Sequence, residues 1–403
     1  MHRRKLIILW AIILLVAFSG VMIGRWSTSV SAEGKPYKEL KVFTEVLSLI
    51  KENYVEETKN KDLVYGAIRG MLRSLDPHSH FMTPEAFRQK QVDTKGEFGG
   101  LGIQIGIRND ALTVIAPMDD TPAYKAGIKA GDRIIRINNE STKDMGIEDA
   151  VSKLRGPKGT SVTISIMREG WEEPKDFKIV REIIKIQSVK SKVLDDRIGY
   201  IRISHFHEKT TADLAEALKK LEAEKIDSLI LDVRNNPGGL LNIAVDVSSQ
   251  FLPSGKRVVY IKGRDGEKIE YYTSSEKPYY KYPMVVLVNE GSASASEIVA
   301  GALKDWGRAV IIGTQTFGKG SVQTLIPLSD GSGLKLTTAK YYTPKDKSIQ
   351  TTGITPDIVV KNEQQKEKET VPVEVAEKDD TQLQRAIDLL KTWRIFKELP
   401  KAG

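Results

Sequence analysis

Three serines alternate with two alanines at positions 292–296, and a lysine between two glycines follows at Gly318-Lys319-Gly320. A serine hydroxyl is a weak nucleophile until a base takes its proton. Histidine is the usual base, but the five present (His2, His78, His80, His205, His207) have no obvious acidic partners, and no G-x-S-x-G elbow occurs. A lysine can serve instead when burial lowers its pKa, by about 3–5 units for a well-buried ammonium. Serine-lysine pairs are a known variant of the nucleophile-base arrangement. Gly318 and Gly320 let the backbone approach the serine turn, and Gln323 could hold the amine by a hydrogen bond. A plainer reading exists. Ser294 with Glu297 spells S-x-x-E, the capping box of a helix. Both remain open on these residues alone.

These groups need a strand, a turn, a helix and a second strand to position them. Residues 283–288 read as a buried strand, 297–306 as a helix and 308–313 as an apolar strand. Upstream, strands at 198–203, 228–233 and 258–262 alternate with helices at 211–225 and 240–252. That order predicts an α/β core, a mixed sheet with parallel pairs covered by helices. Sites in such sheets gather at the carboxyl ends of strands, where both Asn236-Pro237-Gly238-Gly239 and the serine run fall.

Composition bounds the rest. A chain of 403 residues, 40% hydrophobic and 28% charged, is globular and long enough for two or three domains. The lack of cysteine excludes disulfides, thiolate chemistry and cysteine-zinc sites. The net charge of +8 is spread along the chain, which argues against nucleic acid. Arg3-Arg4-Lys5 precede an uncharged apolar run at 6–24, nearly long enough for a bilayer's core of about 30 Å. With the basic side in the cytosol, the bulk of the chain faces outward. The run predicts a retained anchor, with cleavage after Val30-Ser31-Ala32 as the alternative. Apolar residues at steps of three and four predict helices at 37–54, 61–74 and 381–399, the last after a charged linker.

Residues 91–184 form a module of another kind. The loop Gly99-Gly100-Leu101-Gly102 runs into an alternating strand, followed by a strand at 112–115, a short helix at 122–127, a helix at 147–154 and a strand at 161–167. Loop and order resemble a PDZ domain. The resemblance implies a peptide added to an open strand edge, its terminal carboxylate held by loop N–H groups. The implied groove is lined by Leu101, Gly102, Ile103, Ile105, Val151 and Leu154. Arg168, closing the module, is placed either to couple tail binding to the core or simply to meet solvent.

Over nearly all of residues 34–360 the chain resembles the carboxyl-terminal processing peptidases, or tail-specific proteases. The matching stretches are Ser74-Leu75-Asp76-Pro77-His78, residues 231–239, 291–297, 316–320 with Gln323, 336–344, 348–350 and 353–357. The resemblance implies a crotonase- or ClpP-like core with an inserted PDZ domain, divided as 1–32 anchor or signal, 33–90 helical region, 91–184 PDZ domain, 185–361 peptidase core and 362–403 linker and helix. It puts the nucleophile at Ser294, the general base at Lys319 and its orienting amide at Gln323. An oxyanion hole follows at the backbone N–H groups of Ala295 and Gly238, with Gly239 the close rival. It implies no cofactor or metal, polypeptide substrates with apolar C-terminal tails, a membrane-bound enzyme facing out of the cytoplasm, and a possible homodimer. A tethered PDZ adaptor without catalysis is the alternative. Two other classes are weaker: Gly313–Lys319 fits a P-loop until Gly320 replaces the magnesium-binding Ser/Thr, and the two H-x-H pairs have no third ligand pattern.

Overall fold

The computed structural model describes residues 36–274, 279–361 and 377–398, and the chain divides into two compact units, 1–74 and 75–403. In the first, α1 (Pro36–Asn53) and α2 (Asn60–Arg73) form where the periodicity predicts helices. The apolar stripe of α1 is exposed at Leu40, Phe43, Val46 and Leu49. Among the described residues no helix is long and apolar enough to cross a membrane. The span expected at 6–24 lies outside them.

The second unit opens with β1 (His80–Met82) and α3 (Pro84–Lys95). Thr83 caps this helix by accepting the Ala86 N–H at 3.3 Å, and Pro84 starts it. The helix runs continuously across the 90/91 boundary expected from sequence. Next come β2 (Glu97–Gly100), β3 (Ile103–Arg108), β4 (Ala111–Pro117), α4 (Pro122–Lys125), β5 (Arg133–Ile137), β6 (Glu140–Ser141), α5 (Ile147–Leu154), β7 (Ser161–Met167), β8 (Lys175–Val180) and β9 (Glu182–Lys185). Strands β3-β4-β5-β7-β8 make an antiparallel sheet with β6 beside β5. Strands β2 and β9 pair with each other where the chain enters and leaves this module.

The core follows: β10 (Val189–Leu194), β11 (Ile198–Ile203), α6 (Thr210–Ala223), β12 (Ser228–Asp232), α7 (Leu241–Ser249), β13 (Arg257–Gly263), β14 (Lys268–Tyr272), β15 (Met284–Val288), α8 (Ala295–Asp305), β16 (Val310–Gly313), β17 (Ser321–Pro327), β18 (Gly333–Tyr342), β19 (Ile358–Val359) and α9 (Thr381–Glu398). The main sheet runs β10-β11-β12-β15-β16-β19, parallel except for β10. Alternate residues of its strands serve two cores. Ile201, Ile203, Leu229, Leu231, Val286 and Val288 pack with α6, α7 and α8. Ile198, Tyr200, Ile230, Val285 and Leu287 pack with Leu383, Ala386 and Leu390 of α9. Burial on both faces is why these strands read as unbroken apolar runs.

A second, antiparallel sheet, β1-β18-β13-β14 with β17 on β18, carries the lysine loop back toward the serine turn. Most of this sheet was not evident from sequence, because β18 reads GLKLTTAKYY and has no clean alternation.

Candidate active site

Two turns meet at the carboxyl ends of the neighbouring strands β12 and β15. Asn289 stitches them together, accepting the Asn235 N–H at 2.8 Å and donating to Asn235 Oδ1 at 2.8 Å. The outer serines of the run are fully buried and their hydroxyls are spent on this seam. Ser292 donates to the Val233 carbonyl at 2.8 Å and Ser296 to that of Asn236 at 2.9 Å. The alternation therefore has a structural cause, and it leaves Ser294 as the serine not tied to that seam.

Ser294 sits just before α8 with φ 54° and ψ −112°. An L-residue there is strained by about 1–3 kcal/mol, and such strain persists only where surroundings impose it. The same strain marks nucleophiles turned out of a strand-to-helix bend. Gly238 lies directly against this turn. A Cβ at Gly238 would come within 2.7 Å of the Ala293 carbonyl and 2.8 Å of Ser294 Cβ, and the glycine's own φ is +98°. Only glycine lets the two turns approach so closely.

Glu297 locks the arrangement. Fully buried in the first turn of α8, its carboxylate receives four donors: the Ser294 N–H at 2.8 Å, the Lys319 N–H at 3.0 Å, the Gly318 N–H at 2.7 Å and the Thr316 hydroxyl at 2.6 Å. Burial pushes its pKa up against the pull of these donors. One side chain thus fixes both the serine turn and the lysine loop. The S-x-x-E pattern pointed to a cap, and the structure shows that this cap also holds the loop bearing the second expected residue. Glu297→Gln would turn an amide hydrogen toward one of these N–H groups. We expect kcat/KM to fall about a hundredfold, the cost of a small misplacement of reacting groups, with polypeptide binding to the PDZ-like module retained.

Lys319 is half-buried. Burial lowers its pKa, the nearby charge of Lys90 lowers it further, and Glu297 opposes them. No hydrogen bond joins its amine to the Ser294 hydroxyl in this arrangement. The buried phenol of Tyr341 lies beside Ser294, with a pKa that burial pushes up to about 12. The Tyr341 N–H also donates to the Gly320 carbonyl at 2.7 Å, so this residue touches both the serine and the lysine loop. Gln323 is not on the lysine amine as expected from sequence. Its Nε2 donates to Ser321 Oγ at 2.8 Å, because the β17–β18 pairing turns the amide toward Ser321 and Thr337.

Of the two expected oxyanion donors, the Ala295 N–H at the head of α8 has no partner among the described residues, whereas the Gly238 N–H already donates to Asn236 Oδ1 at 2.9 Å. The rival, the Gly239 N–H, also has none among the described residues. The Gly318 and Lys319 N–H groups, which a P-loop would turn to phosphate, go to Glu297, and a strand follows in place of the required helix. Among the described residues no three His, Asp or Glu side chains gather as metal ligands.

The residues expected to line a peptide groove fall on the first strand of the PDZ-like sheet, the loop before it and α5. Strand β3 is an edge. Among the described residues the N–H groups of Leu101 and Gly102 have no partner, while their carbonyls accept the N–H groups of Ala123 at 2.9 Å and Met118 at 2.8 Å. Leu101 and Leu154 sit in the module's core, with Ile103 and Ile105 packed against it and half-buried Val151 nearby on α5. Arg168 is partly exposed, and its hydrogen bonds stay within the module. It grips the fully buried Asp132 at 2.6 and 2.7 Å.

Sequence reasoning missed one cluster entirely. Arg234, just before the Asn-Pro-Gly-Gly turn, bonds Asp232 at 2.6 Å and Asp380 at 2.8 Å, and Tyr200 donates to Asp232 at 2.7 Å. Burial would lower the Arg234 pKa, but the two carboxylates hold it above the usual value. Asp380 lies so far along the chain that no local pattern could announce the pairing. Arg234→Met leaves buried carboxylates unpaired and should cost about 3–5 kcal/mol, read as a lowered urea midpoint.

Residues 197–360 match the profile of Peptidase family S41, 113–168 that of a PDZ domain, and 22–86 the N-terminal domain of the activating protease CtpB. The chain is 46% identical over 362 residues to the carboxy-terminal-processing protease of Bartonella bacilliformis, covering 89% of this chain and 82% of that protein. It is 38% identical over 337 residues to the carboxy-terminal processing protease CtpB of Bacillus subtilis, covering 83% and 70%. A solved structure titled photosystem II D1 C-terminal processing protease aligns at 30% identity and a TM-score of 0.48, covering 81% of this chain and 94% of that one. By its family and relatives the chain is a serine peptidase with a PDZ domain. The chain belongs to the carboxyl-terminal processing proteases, and its substrates are polypeptides. The adaptor without catalysis is set aside on this ground.

Proposed function

We propose that Ser294 is the nucleophile and Lys319 the general base of a protease that cuts polypeptides near their C-terminus. The observation that carries this reading is the strained Ser294 turn, clamped by Glu297 to the loop that bears a desolvated lysine. A neutral Lys319 amine takes the Ser294 proton as the oxygen attacks a peptide carbonyl. The proton then passes to the leaving amine, and water, activated by the same lysine, releases the acyl group. The Ala295 N–H faces the developing oxyanion, joined by Gly238 once Asn236 lets go, or by Gly239. Each such donor is worth about 3–4 kcal/mol to the transition state. In the arrangement described, the amine and hydroxyl must still come together. Gln323 would then turn from Ser321 to hold the amine.

The PDZ domain, 91–184, selects substrates. An unstructured tail adds to β3, its carboxylate on the Leu101 and Gly102 N–H groups and its apolar last residue against Ile103, Ile105, Val151 and Leu154. Val151→Arg should raise KM about tenfold for a protein with an apolar tail, the loss of one apolar anchor. Residues 1–32 anchor the enzyme in the cell membrane with the peptidase core, 185–361, outside the cytoplasm, or release it if cleaved. The exposed stripe of α1 supports a homodimer through the 33–90 region, and the helix-covered parallel sheet of the core is in keeping with a crotonase-like architecture. The test is to incubate the full chain with an unstructured protein ending in apolar or in charged residues and map the products by mass spectrometry. Cuts near the C-terminus, faster with the apolar ending, are expected. Equal rates with both endings would remove tail selection.

A further inference from the structure

Three lysines and a histidine converge beside the proposed reaction centre, and the one carboxylate whose charge reaches Lys319, Glu297, has its oxygens taken by four other donors. His80 of β1 is the cross-strand partner of Lys335 in β18. Helix α3, which follows β1, lies on the same ground: the Phe87 ring fills the place a side chain on Gly333 would take. Lys90 is three residues past Phe87 and Lys335 two past Gly333, so the helix and strand periods bring both lysines to one side. The charge of Lys90 reaches Lys319, Lys335 and His80, and that of Lys319 reaches Lys335 and His80. None of the three ammonium groups has a carboxylate within ion-pair distance among the described residues. The nearest acid on α3, Asp93, takes the Gln89 amide at 2.7 Å. Half-buried Lys335 is driven down to about 8 by burial and by its two lysine neighbours. Like charges gathered this way oppose one another, and an anion entering among them relieves that repulsion.

We infer that Lys90, Lys335 and His80 form a basic subsite that binds a carboxylate of the polypeptide beside the scissile bond. This rests on Ser294 and Lys319 being the reaction centre. The carboxylate is either an acidic side chain next to the cut or the free end of the chain once the PDZ domain has released it, and the two share one chemistry. An anion there also favours the charged form of Lys319, so it tightens binding while moving the rising limb of the rate to higher pH. Acidic substrates thus combine a lower KM with a lower kcat at neutral pH, a split that simple packing would not produce.

The test uses the full-length Ser294→Ala protein and fluorescent peptides in matched pairs. One arm replaces glutamine by glutamate at each position around the cut, and the other compares a free with an amidated C-terminus. Anisotropy should show one member bound about tenfold tighter than its neutral isostere, the yield of one charge-assisted contact. The ratio should fall toward one in Lys335→Met and in Lys90→Met, recover in Lys335→Arg, and shrink with added salt. The arm in which it appears tells the side chain from the chain end. Ratios near one throughout, or a preference that both methionine variants leave unchanged, overturn the subsite. Failure of the Ser294 assignment would appear differently, as cleavage of the peptides by Ser294→Ala itself.

Discussion

Ser294→Ala is expected to lower kcat/KM on an unstructured polypeptide by at least about 10⁴-fold, as loss of a nucleophile does in other serine peptidases. The other hydroxyls of the run cannot stand in, because Ser292 and Ser296 donate to the Val233 and Asn236 carbonyls and are wholly buried. The variant should fold as well as the wild type or slightly better. Alanine at φ 54° keeps the backbone strain, while the Ser294 N–H bond to Glu297 does not involve the side chain. Equal thermal stability with retained binding of tail peptides, next to lost cleavage measured by mass spectrometry, would separate chemistry from folding. Cleavage within tenfold of the wild type would place the nucleophile elsewhere.

Lys319→Met should be nearly as damaging, about 10³–10⁴-fold, because general-base assistance is lost while nucleophile and oxyanion donors remain. Its pH dependence is more telling than its size. The base acts when neutral, and burial with the charge of Lys90 holds its pKa below the free-lysine value of 10.5. Neutral amine increases as pH rises, so kcat/KM of the wild type should climb with pH and level off at a value below that of free lysine. Lys319→Met should lack this limb. Lys319→Arg keeps a positive charge at every working pH and should be as inactive as the methionine variant. An arginine variant retaining most of the activity would mean that position 319 supplies charge and not a base.

Much of this site could be read from residue order, for definable reasons. Parallel strands buried on both faces announce themselves as apolar runs, so β11, β12 and β15, and the turns at their ends, were evident. Closely spaced motifs were evident too, the serine run and the glycine-flanked lysine among them. Partnership across long sequence distance was not. Glu297 looked like a helix cap, because three of its four donors lie on the loop around Lys319. Tyr341 sat unnoticed in an irregular strand that borders both halves of the site. Gln323 was placed near the lysine by sequence proximity, but strand pairing turns it toward Ser321 and Thr337. The Gly238 donor was chosen for its glycine, whereas its N–H is held by Asn236 two residues earlier. These partnerships share one feature. Local pattern tells where a backbone turns, and side-chain partners are settled only when distant strands meet.

Proton transfer from Ser294 to Lys319 is tested most directly by trapping the acyl-enzyme. Rapid acid quench during turnover, followed by peptide mapping, should find a substrate fragment esterified to Ser294 in the wild type and none above background in Lys319→Met at the same pH. An adduct on another residue, or an ester on Ser294 forming at the wild-type rate without Lys319, would contradict the account.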